Sequence, residues 1–185
     1  SHIDYTLLWK TVISFLIILF VLLYFFNKEK KLKIKLEKAY EELKHLAITD
    51  KLTNVYNRHK LDETLELEKK RADRYNSTFG IMILDIDYFK KINDLYGHHV
   101  GDNVLKEFST LLKDNSRDTD IVGRWGGEEF LIIIPETNKE SIELFAQNIR
   151  KKVEFNSFEL VEHLTVSIGT TIYKKNESTE TTINR

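Results

Sequence analysis

The sequence predicts an α+β sandwich built on a mostly antiparallel sheet, and three observations carry that expectation. Phe79-Gly80-Ile81-Met82-Ile83-Leu84 is an unbroken apolar run of strand length, as a central buried strand requires. Asp120-Ile121-Val122-Gly123 and Leu131-Ile132-Ile133-Ile134-Pro135 flank a Gly-Gly pair and read as a hairpin. Helical periods fill the rest, so the order is helix, strand, two helices, hairpin, helix, strand. That order is close to the ferredoxin-like plan.

Composition narrows the function classes. The 185 residues leave room for one ordinary domain plus extras. There is no cysteine, which excludes disulfides and thiolate metal sites and fits a reducing compartment. A formal net charge of −1 argues against a general nucleic-acid binder, so no nucleic-acid partner is expected. The chain opens Ser1-His2 without an initiator Met and ends Ile183-Asn184-Arg185 without a stop signal, so a fragment at both ends is expected.

The first element is a membrane-span candidate. From Val12 to Phe26 every residue is apolar or aromatic except Ser14, and Leu7, Leu8 and Trp9 extend the run. The total of roughly 20 residues matches a bilayer core of ~30 Å. Tyr5 and Trp9 on one side and Tyr24 on the other suit the two interfaces. Lys28, Lys30, Lys31, Lys33 and Lys35 crowd the C-terminal flank, against Lys10 alone at the other end. The positive-inside rule therefore puts the C-terminal side in the cytoplasm. No small-residue cleavage site follows, so a signal peptide fits poorly. A buried core helix is the other reading, but no nearby segment offers to cover the run on all faces.

Next, Asn27 to Leu46 is a highly charged helix in which Leu32, Leu36, Ala39, Leu43 and Leu46 step by four, three, four and three. A coiled coil of about two heptads and an amphipathic helix lying on its own domain both satisfy that spacing. Either way a stiff helix continues inward. The expected domains are a transmembrane helix over 1–26, a signalling helix over 27–47 and a domain over 48–185.

The turn residues of Ile48 to Arg58 break that helix. A second helix runs from about Arg58 to Tyr75 with Leu61, Leu65 and Ala72 inward, and Asn76-Ser77 turn the chain. The first strand ends in Asp85-Ile86-Asp87, which puts both carboxylates on one side if the strand continues that far. Carboxylates at a strand's C-terminal end are where such sheets place chemistry. Phe89 to Tyr96 is a short helix closed by Gly97, and His98 to Asp102 form a turn into a helix from Asn103 to Lys113. Val104, Leu105, Phe108, Leu111 and Leu112 are its inward face. After the hairpin, Asn138 to Lys152 is a helix with Ile142, Phe145, Ala146 and Ile149 on its apolar stripe. Leu164 to Tyr173 alternates as a last strand.

Chemistry concentrates at Gly126-Gly127-Glu128-Glu129. Glycine lets a bulky ligand approach the backbone, and two adjacent acids at a hairpin mouth are costly unless solvated or neutralised. If the two strands are neighbours, Asp85, Glu128 and Glu129 converge on a site for a hard divalent cation carrying phosphates. An ordinary solvated hairpin has the same residues, and spacing alone does not decide.

Gly126-Gly127-Glu128-Glu129-Phe130 resembles the defining motif of the GGDEF-domain diguanylate cyclases, in its Glu variant. Asp50-Lys51-Leu52-Thr53 with Asn57-Arg58 is similar to the family's opening motif. Leu84-Asp85-Ile86-Asp87, Phe89-Lys90, Ile92-Asn93-Asp94, Gly97-His98, Gly101-Asp102 and Val166-Ser167-Ile168-Gly169 follow in the family's order. The resemblance covers about Leu46 to Tyr173 and implies a nucleotide-cyclase-like sandwich. It implies condensation of two GTP into cyclic di-GMP with release of pyrophosphate, across a homodimer whose two sites face each other. It implies Mg²⁺ or Mn²⁺ on Asp85, the backbone carbonyl of Ile86 and Glu128, with Glu129 sharing the metal. Glu128 would accept the 3′-hydroxyl proton, and Lys90 would stabilise charge at the reacting phosphate. Asn93 and Asp102 would bond the guanine edge, His98 would lie near the nucleotide, and Gly126 and Gly127 would pass close to the phosphates. Asp87 would support its turn. Asp50, Asn57 and Arg58 would fix the junction between signalling helix and domain.

Local readings stand beside these roles. Asn93 and Asp94 also suit a helix end, His98 and Asp102 a helix cap, and Lys90 a solvated surface. Arg117 and Asp120 lie where the family's inhibitory product site has its Arg-x-x-Asp, while an ion pair satisfies the same pair. The family continues with a helix carrying Ala-Leu-Tyr and then Lys and Arg on the triphosphate. That helix lies past Arg185, so weakened GTP binding is expected of the chain as written. Val55-Tyr56 replaces a common Leu-Pro pair. The expected setting is a bacterial inner membrane with the domain in the cytoplasm. A non-catalytic cyclic di-GMP receptor, or a signalling module, is the alternative.

Overall fold

The computed structural model describes residues 5–158, 161 and 163–185, with side chains from Trp9 onward. The interfacial Tyr5 and the Leu7 and Leu8 of the apolar run lie outside the described side chains. The chain divides into two compact units, 1–47 and 48–185.

In the first unit, α1 (Tyr5–Ile48) is one uninterrupted helix. Its apolar half and its charged half are continuous because neither proline nor glycine occurs in it. It is long and apolar enough to cross a membrane by length and composition. The seam residues Leu32, Leu36, Leu43 and Leu46 are 56–69% exposed.

The second unit is the expected α+β sandwich. Helix α2 (Arg58–Tyr75) starts at Asn57, whose side chain accepts the Lys60 amide at 3.0 Å, and stops at Asn76 in the left-handed region. Strand β1 (Phe79–Ile86) follows, then α3 (Phe89–Tyr96) and α4 (His98–Asn115). The hairpin is β2 (Ile121–Gly126) with β3 (Glu129–Pro135). Helix α5 (Lys139–Phe155), strand β4 (Val166–Ile172) and a short α6 (Thr179–Ile183) complete it. The sheet runs β2-β3-β1-β4 with every neighbouring pair antiparallel.

Period-two alternation splits β1 and β3 between two cores. Met82, Leu84 and Ile86 join Phe130, Ile132 and Ile134 against α3, α4 and α5. Phe79 and Ile81 join Leu131 and Ile133 beneath Leu61, Leu65 and Ala72 of α2. Both faces of the central strands are covered, which is why their sequence reads as an unbroken apolar run.

Four boundaries depart from expectation. His98 to Asp102 are the first turns of α4 rather than a preceding turn; Gly97 alone, at φ +84°, makes the corner. Gly126 is paired in β2, so the two loop residues are Gly127 and Glu128, with Gly127 at φ +51°. Strand β1 ends at Ile86, which leaves Asp87 outside it. Strand β4 covers Val166–Ile172 rather than Leu164 to Tyr173; it lies at the sheet edge, and only Val166 within it is buried.

Candidate functional site

The alternation that buries Phe79, Ile81, Leu131 and Ile133 carries on through Ile83 to the end of the sheet, where its last members are charged. Asp85 pairs directly with Glu129 across β1 and β3, on the same face of the sheet. Glu128 stands beside it in the hairpin loop. Burial pushes the Asp85 carboxyl up from its ordinary value, and the charges of Glu128, Glu129 and Asp87 push it further. Asp85 and Glu128 are half-buried, and Glu129 is exposed. Like charges directly opposite each other across a ladder are destabilising. This end of the sheet therefore favours a cation. Among the described residues no three His, Asp or Glu side chains close into a metal cage. An open set of hard oxygens still suits Mg²⁺, which takes one or two carboxylates, keeps waters and shares substrate phosphates.

Space lies in front of these carboxylates. A Cβ built on Gly126 or Gly127 meets nothing within 4 Å. A ligand can therefore lie against the hairpin backbone there.

Asp87 is occupied otherwise. Its carboxylate accepts the Thr165 hydroxyl at 2.6 Å and the Ser167 hydroxyl at 2.7 Å, and its amide donates to the Thr165 carbonyl at 3.0 Å. These bonds hold the exit of β1 against the entry of β4.

Tyr88, in the left-handed region at φ +58°, turns the chain into α3. Lys90 is exposed in the first turn of that helix. Asn93, half-buried, packs its side-chain oxygen against the backbone of Gly101, so closely that any Cβ there would displace it. Asp102 is the next residue and is exposed. Asn93 and Asp102 are thus gathered at one α3–α4 corner. His98 opens α4 without a side-chain cap bond, and Asp102 lies within the helix, so neither caps it.

Arg117 and Asp120 form no ion pair among the described residues. The Asp120 Oδ2 accepts the Arg117 backbone amide at 2.8 Å, and the Asp120 amide donates to the Arg117 carbonyl at 2.9 Å. The other carboxylate oxygen, Oδ1, is buried without a partner. Asp120 also lines a cavity of about 240 Å³ together with Arg117, Ser141 and Asn148. The Arg117 side chain is exposed.

One residue of the site escapes sequence reasoning. Arg124 of β2 donates from Nε to the Gly127 carbonyl at 2.8 Å and pairs with Asp50 at 3.2 Å. Burial alone would push the Asp50 carboxyl up. Hydrogen bonds from the Thr53 hydroxyl and amide, with the Arg124 guanidinium, outweigh burial and hold it below its ordinary value. Arg58 lies over the Trp125 ring at 4.2 Å, and Tyr56 bonds both Val122 and Arg124 through its backbone. The segment that follows α1 is thereby fastened to the tip of the hairpin. Asp50 and Arg124 are 74 positions apart, so no local pattern pairs them.

Comparison with known proteins places this arrangement. The family model "Diguanylate cyclase, GGDEF domain" matches residues 47–185. The response regulator PleD of Caulobacter vibrioides is 40% identical over 129 residues, covering 67% of this chain and 28% of PleD. The diguanylate cyclase DgcP of Pseudomonas aeruginosa is 36% identical over 148 residues, covering 78% of this chain and 22% of DgcP. The chain thus spans well under half the length of these curated relatives. Among solved structures, the coiled coil and GGDEF domain of DgcB from Caulobacter crescentus, in complex with c-di-GMP, superposes with a TM-score of 0.79 at 27% identity. That match covers 86% of each chain.

Proposed function

We propose, from the premise that this chain belongs to the family of GGDEF-domain diguanylate cyclases, that it joins two GTP into cyclic di-GMP and releases two pyrophosphates. The observation that carries the proposal is Asp85 facing Glu129 beside an open glycine hairpin, with its carboxyl pushed up by burial and then by neighbouring acids. Asp85, the Ile86 carbonyl and Glu128 would hold Mg²⁺ or Mn²⁺, with Glu129 sharing it. Such an ion, when bound, neutralises these acids, lowers the pKa of the 3′-hydroxyl and balances phosphate charge. Glu128, the Glu variant of the motif, accepts the 3′-hydroxyl proton. Lys90 faces charge at the reacting phosphate. Gly126 and Gly127 leave the backbone bare beside the phosphates. Asp102 accepts from the N1–H and N2–H₂ donors of guanine, Asn93 bonds the same edge, and His98 lies beside the nucleotide.

Each domain holds one GTP, so turnover requires a homodimer. Helix α1 supports that requirement. Its 44 residues span about 66 Å, twice a bilayer core of ~30 Å. Residues 1–26 anchor the chain in a bacterial inner membrane. Residues 27–47 pair as a coiled coil on the cytoplasmic side, and residues 48–185 form the catalytic domain. Arg117 and Asp120 bind cyclic di-GMP as an inhibitor, which the partnerless buried oxygen of Asp120 supports.

That oxygen also favours a second reading, a receptor that binds cyclic di-GMP without making it. The test incubates the protein with GTP and Mg²⁺ and separates products by chromatography. Cyclic di-GMP is the expected product. Binding of cyclic di-GMP with no turnover would replace the cyclase with the receptor.

A further inference from the structure

We infer that the membrane-proximal turns of α1 carry a binding site for an anionic phospholipid. The inference rests on the membrane reading given above. Between Lys28 and Lys38 there are six lysines against two glutamates, a local charge of +4 in a chain whose net charge is −1. Four of them, Lys28, Lys31, Lys35 and Lys38, recur at helical spacing and share one face of α1. Like charges three and four residues apart repel. No ion pair engages these lysines among the described residues, and the nearest pair in the helix is Glu41 with Lys44.

On the same face the apolar run supplies the other half of the site. A groove along α1 is lined by Phe20, Leu23 and Tyr24 at one end and by Lys28, Lys31 and Lys35 around Leu32 at the other, with Asn27 between. The change from apolar to basic takes the two residues from Phe26 to Lys28, about 3 Å of helix rise. Side chains on a helix lean toward its N-terminus, so these lysines lean back toward the apolar run. An acyl chain beside Phe20, Leu23 and Tyr24, with its phosphate among the lysines, matches both ends of the groove. A soluble anion matches only one.

The test purifies the chain in neutral detergent and titrates it with phosphatidylglycerol or with zwitterionic phosphatidylcholine. Lipid retained per chain, and the oligomeric state, are read by native mass spectrometry. The expected result is retention of phosphatidylglycerol over phosphatidylcholine by at least about tenfold, since three lysines at about a factor of five each set a ceiling of about a hundredfold that screening lowers. The triple variant Lys28→Gln, Lys31→Gln, Lys35→Gln should lose the preference, and the matching arginine variant should keep it. Equal retention of both lipids by the parent would overturn the inference. So would displacement by millimolar glycerol phosphate, which would assign the site to phosphate alone. A glutamine variant that changes the dimer fraction and not lipid retention would give the groove to a second copy of the chain. A chain that stays dispersed when the detergent is removed defeats the membrane reading itself; a chain that needs detergent yet shows no headgroup preference defeats only this inference.

Discussion

Asp85 and Asp50 respond to pH in opposite senses, although both are half-buried carboxylates. Asp85 has a raised pKa, from burial first and then from Glu128, Glu129 and Asp87. Its contribution to stability is full below the ordinary value of 3.8 and is lost as pH rises through the raised value. At neutral pH without a divalent cation, Asp85→Asn should therefore raise the melting temperature by about 3 °C, from about 1 kcal/mol of relieved repulsion. Mg²⁺ should raise the melting temperature of the parent and leave that of the variant unmoved. A destabilised variant would contradict the cation reading. Asp50 has a lowered pKa, because Thr53 and Arg124 outweigh its burial. Its contribution is present above 3.8 and is lost as pH falls through the lowered value. Arg124→Ala leaves Asp50 half-buried without its cation and should cost about 1–3 kcal/mol by urea denaturation. The same pair fixes the Gly127 carbonyl, so Arg124→Ala should also slow turnover, and Asp50→Ala with Arg124→Ala should be non-additive in a double-mutant cycle. Additive losses would show that the two residues act separately.

At the scale of elements, the hairpin separates the demands of folding from those of binding. Gly127 needs its positive φ, whereas Gly126 has ordinary backbone and open space around it. Gly126→Ala should therefore change stability by no more than about 0.5 kcal/mol while cutting turnover at least tenfold, because a methyl there occupies room meant for a ligand. A large drop in melting temperature would mean that the glycine serves the fold instead. Elements with a strong period were legible in the sequence. Leu61, Leu65 and Ala72 mark α2, and the apolar run marks β1, because burial on one or both faces dictates residue type. The start of α4 was hidden, since His98-His99-Val100-Gly101-Asp102 has the composition of a turn yet is helical. Gly101 lies in that helix because α3 brings Asn93 against it, and that contact leaves no local trace. The carboxylates of the site were legible as acids at strand ends. Their pairing depended on β1 lying next to β3, and the clamp from Arg124 to Asp50 depended on a contact across 74 positions.

At the scale of the whole molecule, the proposed condensation requires two chains. The exposed Leu36 and Leu43 lie on the α1 seam, where a partner helix would bury them. Leu36→Asp with Leu43→Asp should yield monomers in sedimentation and abolish turnover, with the melting temperature of residues 48–185 unchanged. Monomers that keep full turnover would remove the dimer from the mechanism. In the proposed reaction, condensation occurs at the end of β1 and the hairpin tip, apart from the Arg117 and Asp120 site. The most direct measurement is the initial rate of cyclic di-GMP formation by the parent and by Glu128→Ala, each first titrated with cyclic di-GMP. Turnover of Glu128→Ala should fall at least about a thousandfold, with cyclic di-GMP affinity retained, as expected for a group acting on the reacting hydroxyl. A variant that binds cyclic di-GMP and turns over GTP at the parent's rate would place the chemistry elsewhere.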